Sequence, residues 1–244
     1  MLDQNKVAII TGAKQGIGFG IATILAKSGF NIVISDINQV DSDNSADQIQ
    51  FASIKVVGIA CDVSNKAQVD SLINKTLEKF GRLDVLVNNA GVYPFKTFQD
   101  MQVEDWERVM DINLKGVFLT SKAASKVLPA GGRIINISSI ASIIGFQGLS
   151  HYCASKAGVN GFTRALALEL APKNITVNTV LPGAIATPGA QMSEDIQQQT
   201  ISNIPLQRIG TPDDIANMVE FLASDKSSYI TGQEFIIDGG WTLK

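Results

Sequence analysis

The chain has 244 residues, 45% of them apolar and 18% charged, which excludes disorder for most of its length and allows a single domain with a large core. Its 20 Lys and Arg against 23 Asp and Glu give a formal charge of −3 without basic runs, so neither nucleic acid nor an anionic membrane is an expected partner. Two cysteines, Cys61 and Cys153, and one histidine, His151, provide neither a disulfide framework nor a His/Cys metal site; no metal is expected, and the expected setting is a reduced, cytoplasmic one. The N-terminal apolar run is too short for a signal-peptide core, and no run is long enough to span a membrane.

Short β-branched runs alternate with amphipathic segments along the chain, the pattern of a buried parallel sheet with crossover helices. Val7 to Thr11 is the first strand, followed by a glycine-rich turn and a helix to Ser28 that Gly29 ends. Asn31 to Ser35 is the second strand and leads into Asp36. A short helix falls between Asn38 and Ser53, and Lys55 to Ala60 is the third strand. Ser64 is the expected cap of a helix that reaches Phe80 and stops at Gly81. Leu83 to Asn89 is the fourth strand, and a long helix is predicted from Val103 to Leu128. Arg133 to Ser138 forms the fifth strand, 150–171 a helix, and Thr176 to Leu181 the sixth strand. Residues 184–210 read as irregular or weakly helical. Thr211, Pro212, Asp213 and Asp214 then combine an N-cap, a first-turn proline and two acids. Glu234 to Asp238 is the last strand. The fold class is therefore α/β: one doubly wound Rossmann-type domain over residues 1–244, with a mostly parallel sheet of about seven strands.

TGAKQGIG (Thr11 to Gly18) lies between a strand and a helix, where a glycine pattern becomes a phosphate site. Gly12 suits the tight turn, Gly16 the close approach of backbone to a pyrophosphate, and Gly18 close helix packing. The absence of a GK[ST] ending excludes a nucleoside-triphosphatase loop. Asp36, at the end of the second strand, stands where an acid accepts ribose hydroxyls. Tyr152 and Lys156 share one helical face. A phenol of pKa about 10 needs roughly two to three units of depression to exchange protons near neutrality. An ammonium about 4–5 Å away at an effective dielectric near 20 supplies roughly that. Lys156 is thus expected to make Tyr152 a usable acid/base, with Ser139 upstream at a strand end.

These motifs resemble the short-chain dehydrogenase/reductase family over nearly the whole chain. The matching pieces are TGAKQGIG, Asp62 with Val63, NNAG (Asn88 to Gly91), Asn113, NISS ending at Ser139, YCASK (Tyr152 to Lys156), PGAIATP (Pro182 to Pro188) and DGG (Asp238 to Gly240). The resemblance implies an oxidoreductase with a tetrad of Asn113, Ser139, Tyr152 and Lys156. Tyr152 would exchange the proton, Ser139 would bind the same substrate oxygen, Lys156 would also hold the nicotinamide ribose, and Asn113 would support a water relay. It further implies that Gln15 and Ile17 belong to the phosphate loop. Asp62 and Val63 would frame the adenine, and Asn89 and Gly91 would lie by the ribose. Pro182 and Gly183 would also contact the cofactor, and Ile185 and Thr187 would hold its carboxamide and phosphate side. The family also implies a homo-oligomer, expected here as a homotetramer.

The expected cofactor is NAD(H) rather than NADP(H), because Asp36 is followed by no arginine; Lys14 in the glycine loop pulls the other way. The expected partner is a small carbonyl or alcohol. The segments that line the family's substrate pocket contribute Tyr93 and Phe95, Ile140, Phe146 and Gln147, then Ala184, Ala190 and Met192, mainly apolar. A modest ketone or secondary alcohol suits them, with a sugar or polyol as an open alternative. 3-Oxoacyl carrier-protein reductases share the motifs, although Val127 to Gly132 lacks a basic residue for docking an acidic carrier and only Lys173 remains nearby. A dinucleotide sensor without turnover is a further reading, which the intact tetrad disfavours. Cys61 and Cys153 read as packed small hydrophobes, His151 as a loop or cap residue, Trp106 as core or interface, and Trp241 as the edge of a pocket or of a neighbouring subunit.

Overall fold

The computed structural model describes residues 5–189 and 193–243. Strands β1 (Val7–Thr11), β2 (Asn31–Asp36), β3 (Val56–Ala60), β4 (Val85–Asn88), β5 (Arg133–Ile137), β6 (Thr176–Pro182) and β7 (Glu234–Ile237) form one sheet in the order β3-β2-β1-β4-β5-β6-β7. Every neighbouring pair is parallel. β1, β4, β5 and β6 are buried at every residue because helices cover both faces of the sheet there. On β1, Ala8 and Ile10 pack into the layer of α1 (Gly16–Lys27) and α8 (Pro212–Ala223), with Ile21, Leu25, Ile215 and Val219. Val7 and Ile9, pointing the other way, meet the layer of α3 (Lys66–Phe80), α5 (Gly116–Ala124) and α6 (Ser150–Leu170), with Leu72, Ala124 and Ala167.

The helix ends follow their local chemistry. Gly29 and Gly81 take φ of +87° and +75° just beyond α1 and α3. Thr211 and Asp214 form a reciprocal capping box at α8, with Pro212 in its first turn. The cap of α3 is Asn65 rather than Ser64: Asn65 Oδ1 accepts from the N–H groups of Ala67 and Gln68. Ser64 is drawn back instead, donating its N–H and hydroxyl to Asp62 Oδ1 at 2.9 and 2.7 Å. Helix α2 (Gln39–Asp47) lies in the polar stretch where a short helix was expected, and α7 (Glu194–Asn203) organises part of 184–210.

The long helix predicted from Val103 to Leu128 is divided. It runs as α4 (Val103–Met110), a π-helical turn at Asp111–Lys115, and α5, which ends at Ala124. Beyond Ala124 the chain passes through turns toward Pro129, Gly131 and Gly132. The wider turn contains Asn113, whose buried amide meets the loop after β4.

A polar network crosses the middle of the sheet. Asn88 Nδ2 donates to Ser121 Oγ and to Asn136 Oδ1, and Asn136 Nδ2 donates to Thr163 Oγ1. Thr179 Oγ1 donates to Thr163 Oγ1, so β4, β5 and β6 are tied to α5 and α6 by satisfied buried groups. Among the described residues no helix is long and apolar enough to cross a membrane.

Candidate active site

The chain crosses from β1 to β2 and β3 on one side, then returns to place β4 on the other edge of β1, which opens a crevice at the carboxyl ends of these two strands. A cavity of about 1010 Å³ occupies that place. The glycine loop forms one wall. Gly12, at φ +61°, passes so close to Ala90 that a Cβ would stand 2.6 Å from its Cα. Gly16, at φ +62°, opens α1 where a Cβ would approach Thr187 to 3.3 Å. Asn89 fastens the loop, its Nδ2 donating to the carbonyls of Thr11 and Gly12 at 2.9 and 2.8 Å. A bare backbone opening a helix at the cavity wall fits a dinucleotide pyrophosphate. At the far end, Asp36 Oδ1 accepts the Ile37 N–H and Oδ2 accepts the Lys14 N–H.

Helix α6 presents Tyr152 to the cavity and buries Lys156 beneath it. Lys156 Nζ donates to the Ile137 carbonyl at 2.8 Å and lies 5.7 Å from the centre of the Tyr152 ring. Burial brings the lysine down to about 8. Burial pushes the Tyr152 phenol up to about 12, and a hydrogen bond with Ser139 offsets only part of that rise. This direction is opposite to the expected lowering of the phenol by Lys156: burial, which disfavours the charged form of either group, is the largest cause at both. Ser139 lies two residues beyond β5 and caps the short turn Ile140–Ser142, accepting the Ala141 N–H. The Tyr93 ring packs against Tyr152 with centroids 5.9 Å apart, and its hydroxyl donates to the Gly189 carbonyl across the cavity at 3.0 Å.

Asn113 is wholly buried and does not line the cavity. Its Oδ1 accepts the Val92 N–H at 2.8 Å while Nδ2 donates to the Val92 carbonyl and to Ser155 Oγ. Its side chain thus positions the loop after β4 rather than facing a ligand. A Cβ on Gly91 would come within 3.3 Å of Asn113 Oδ1 and 3.5 Å of Lys156 Nζ, so this glycine keeps the approach to both open.

The cavity gathers Gly12, Gln15, Gly16, Ile17, Asp36, Asp62, Val63, Asn89 and Gly91 with Ser139, Tyr152 and Lys156. Pro182, Gly183, Ile185 and Thr187 close the opposite side, and Tyr93 and Phe146 line the outer part. Gly18 packs behind the loop, where a Cβ would meet Asn89 Nδ2 at 2.5 Å, and is not on the surface of the cavity. Gln147 is exposed and off the cavity, which corrects its assignment to the substrate pocket: the turn before α6 directs Phe146 and Leu149 inward instead. Met192 and Ala190 lie outside the described residues. Trp241 lines the cavity with its ring edge-on to Phe146, and Trp106 is 39% exposed. Burial pushes the Cys61 thiol up to about 12, in keeping with an inert packed cysteine. His151 is buried in the first turn of α6, not on a loop, and neither ring nitrogen has a hydrogen-bond partner among the described residues.

Sequence reasoning missed Arg108, Ile112, Ile196 and Thr200, all of which line the cavity. Both pairs stand four residues apart, so the available signal was a shared helical face on the segments after NNAG and PG.

Comparison with known proteins bears on this arrangement directly. A family model described as Enoyl-(Acyl carrier protein) reductase matches residues 12–242. The chain belongs to the short-chain dehydrogenase/reductase family. It is 44% identical to a 3-oxoacyl-[acyl-carrier-protein] reductase of Synechocystis sp., over 98% of this chain and 97% of that protein. It is 42% identical to the (2S)-[(R)-hydroxy(phenyl)methyl]succinyl-CoA dehydrogenase subunit BbsD of Thauera aromatica, over 98% of each. The crystal structure of a short-chain type dehydrogenase/reductase from Mycobacterium marinum matches with a TM-score of 0.93 at 37% identity, covering 99% of this chain and 98% of that one. The single-domain, seven-stranded architecture is thus that of a short-chain dehydrogenase/reductase, an oxidoreductase family.

Proposed function

We propose that this short-chain dehydrogenase/reductase interconverts a ketone and a secondary alcohol, using NAD(H) in preference to NADP(H). The observation that carries the reading is the convergence of Tyr152, Ser139 and Lys156 on one cavity whose other wall is the glycine loop. The bound nicotinamide would supply or accept the hydride. Tyr152 holds the proton that passes to the substrate oxygen, and Ser139 hydrogen-bonds that oxygen. Lys156, fixed by Ile137, carries a charge beneath the phenol and faces the ribose side, while Asn113 fixes Val92 and the cavity wall. Asp36 supports the NAD(H) preference: about 4 Å from a 2′-phosphate, at an effective dielectric near 20, like charges repel by on the order of 4 kcal/mol. Solvent and salt reduce that to a preference of roughly 10²-fold. The test is loss of nicotinamide absorbance with a panel of ketones, followed by kcat/KM for NADH and NADPH with one active ketone. A panel without turnover would refute the enzyme reading, and equal efficiencies would refute the cofactor preference.

A second reading, reduction of a 3-oxoacyl thioester, is favoured by the Synechocystis relative, a 3-oxoacyl-[acyl-carrier-protein] reductase, and by the Thauera relative, a dehydrogenase of an acyl-CoA. The apolar outer cavity, with Phe95, Phe146, Leu149 and Ile196, would accommodate an acyl chain. Including a 3-oxoacyl thioester in the ketone panel distinguishes the two by relative kcat/KM.

A further inference from the structure

We infer that Asp41 is a specificity-determining residue of the cofactor site: by pairing with Lys14 it occupies the cation that a 2′-phosphate would otherwise take. The inference rests on the NAD(H) reading above and assigns part of that preference to a residue outside the glycine loop and beyond Asp36. The Lys14 backbone is fixed on both sides, its N–H donating to Asp36 Oδ2 at 3.2 Å and its carbonyl accepting from Ser45 Oγ at 2.8 Å. Its side chain turns toward the first turn of α2, where Nζ donates to Asp41 Oδ2 at 3.0 Å. Asp41 is held in its own right. Asn38 Oδ1 accepts the N–H groups of Val40 and Asp41, and Ser42 Oγ donates to the Asn38 carbonyl while accepting the Asp36 N–H. The ion pair therefore joins the glycine loop after β1 to the first turn of α2, beside the Asp36 carboxylate proposed to meet the ribose.

Lys14 lines the cavity next to Asp36, so its ammonium is the neighbouring charge able to favour a phosphate there. The hydrogen bond to Asp41, with the charge of Asp36 behind it, holds the ammonium above its ordinary value. The two side chains are 38% and 42% exposed, so the pair is weak enough for a phosphate to compete and strong enough to tax that competition. Its absence would leave Lys14 with one less acceptor and remove a negative charge from the same corner.

The test uses equilibrium binding alone. Dissociation constants for NADH and NADPH are measured by nicotinamide fluorescence, without ketone, in the parent, Asp41→Asn, Lys14→Ala and the double variant, with Asp36→Ala as a separate arm. Asp41→Asn is expected to tighten NADPH about 5- to 10-fold and to leave NADH within about twofold. The gain should vanish when Lys14 is also replaced. An unchanged NADPH constant, a parallel change for NADH, or an equal gain with and without Lys14 overturns the inference. The parent constants and Asp36→Ala test the NAD(H) reading itself. A parent that favours NADPH refutes that reading, while the coupling between positions 41 and 14 is measured either way.

Discussion

Tyr152 and Lys156 titrate in an order set by burial: the amine gives up its proton near 8, well before the phenol near 12. Below pH 8 the pair is a neutral phenol over an ammonium, and between those values a neutral phenol over a neutral amine. A reaction that needs the ammonium should therefore lose kcat/KM for the cofactor as pH rises through about 8, the value for the free protein. A pH profile flat from 7 to about 10 would show that the charge on Lys156 is not required. On the proposed mechanism the proton comes from Tyr152, so Tyr152→Phe should lower kcat by about 10²- to 10⁴-fold. Its NADH dissociation constant should stay close to the parent value, because the hydroxyl is remote from the glycine loop. Near-normal turnover in the purified variant would remove Tyr152 from the role. These four-apart residues were legible in the sequence, but the sense of the phenol's shift was not. Proximity of a lysine is visible in spacing, whereas the desolvation that raises the phenol depends on how the cavity wall encloses it.

The helical stretch from Val103 to Ala124 shows the same boundary between pattern and packing. Its apolar period predicted one helix, and the π-helical turn at Asp111–Lys115 leaves no trace in that period. The reason lies in Asn113, whose amide completes the backbone of Val92 on another segment, a contact that no local rule contains. Asn113→Ala should leave both Val92 groups unpaired and cost about 1–3 kcal/mol in urea unfolding, with far-ultraviolet dichroism unchanged. A stability equal to the parent would mean that the defect is maintained by other contacts. The strands, in contrast, were legible to within two residues, since runs covered on both faces are rich in Val and Ile. The cap of α3 moved by one residue because Ser64 and Asn65 are both good caps, and Asp62 engages the first of them. Gln147 misled for a related reason: its position after Ser139 was legible, but the direction of its side chain was not.

At the scale of the molecule, α5 and α6 carry apolar side chains outward. Phe118 and Leu168 are 41% and 79% exposed, and Phe118 meets Phe162 edge-on with centroids 6.4 Å apart. Leu206, Tyr229 and Leu243 are also exposed. Two distinct self-complementary faces are what a tetramer of two-fold symmetry requires. Light scattering at micromolar concentration should give four times the chain mass of 26.1 kDa, and a monomer there would exclude the assembly. The sheet order has a consequence for how such a chain is made. Synthesis releases β1 first; β2 and β3 extend one edge, and β4, β5, β6 and β7 then extend the other, each pairing with a strand already present. On a ribosome that adds roughly 5–20 residues per second, the sheet can grow outward as it emerges, with no strand inserted between two that have paired. The vulnerable interval comes late. Until Glu234–Ile237 emerges, β6 is an open edge with its fully buried sequence uncovered, so a nascent chain stalled between Pro182 and Glu234 is the form most exposed to mispairing.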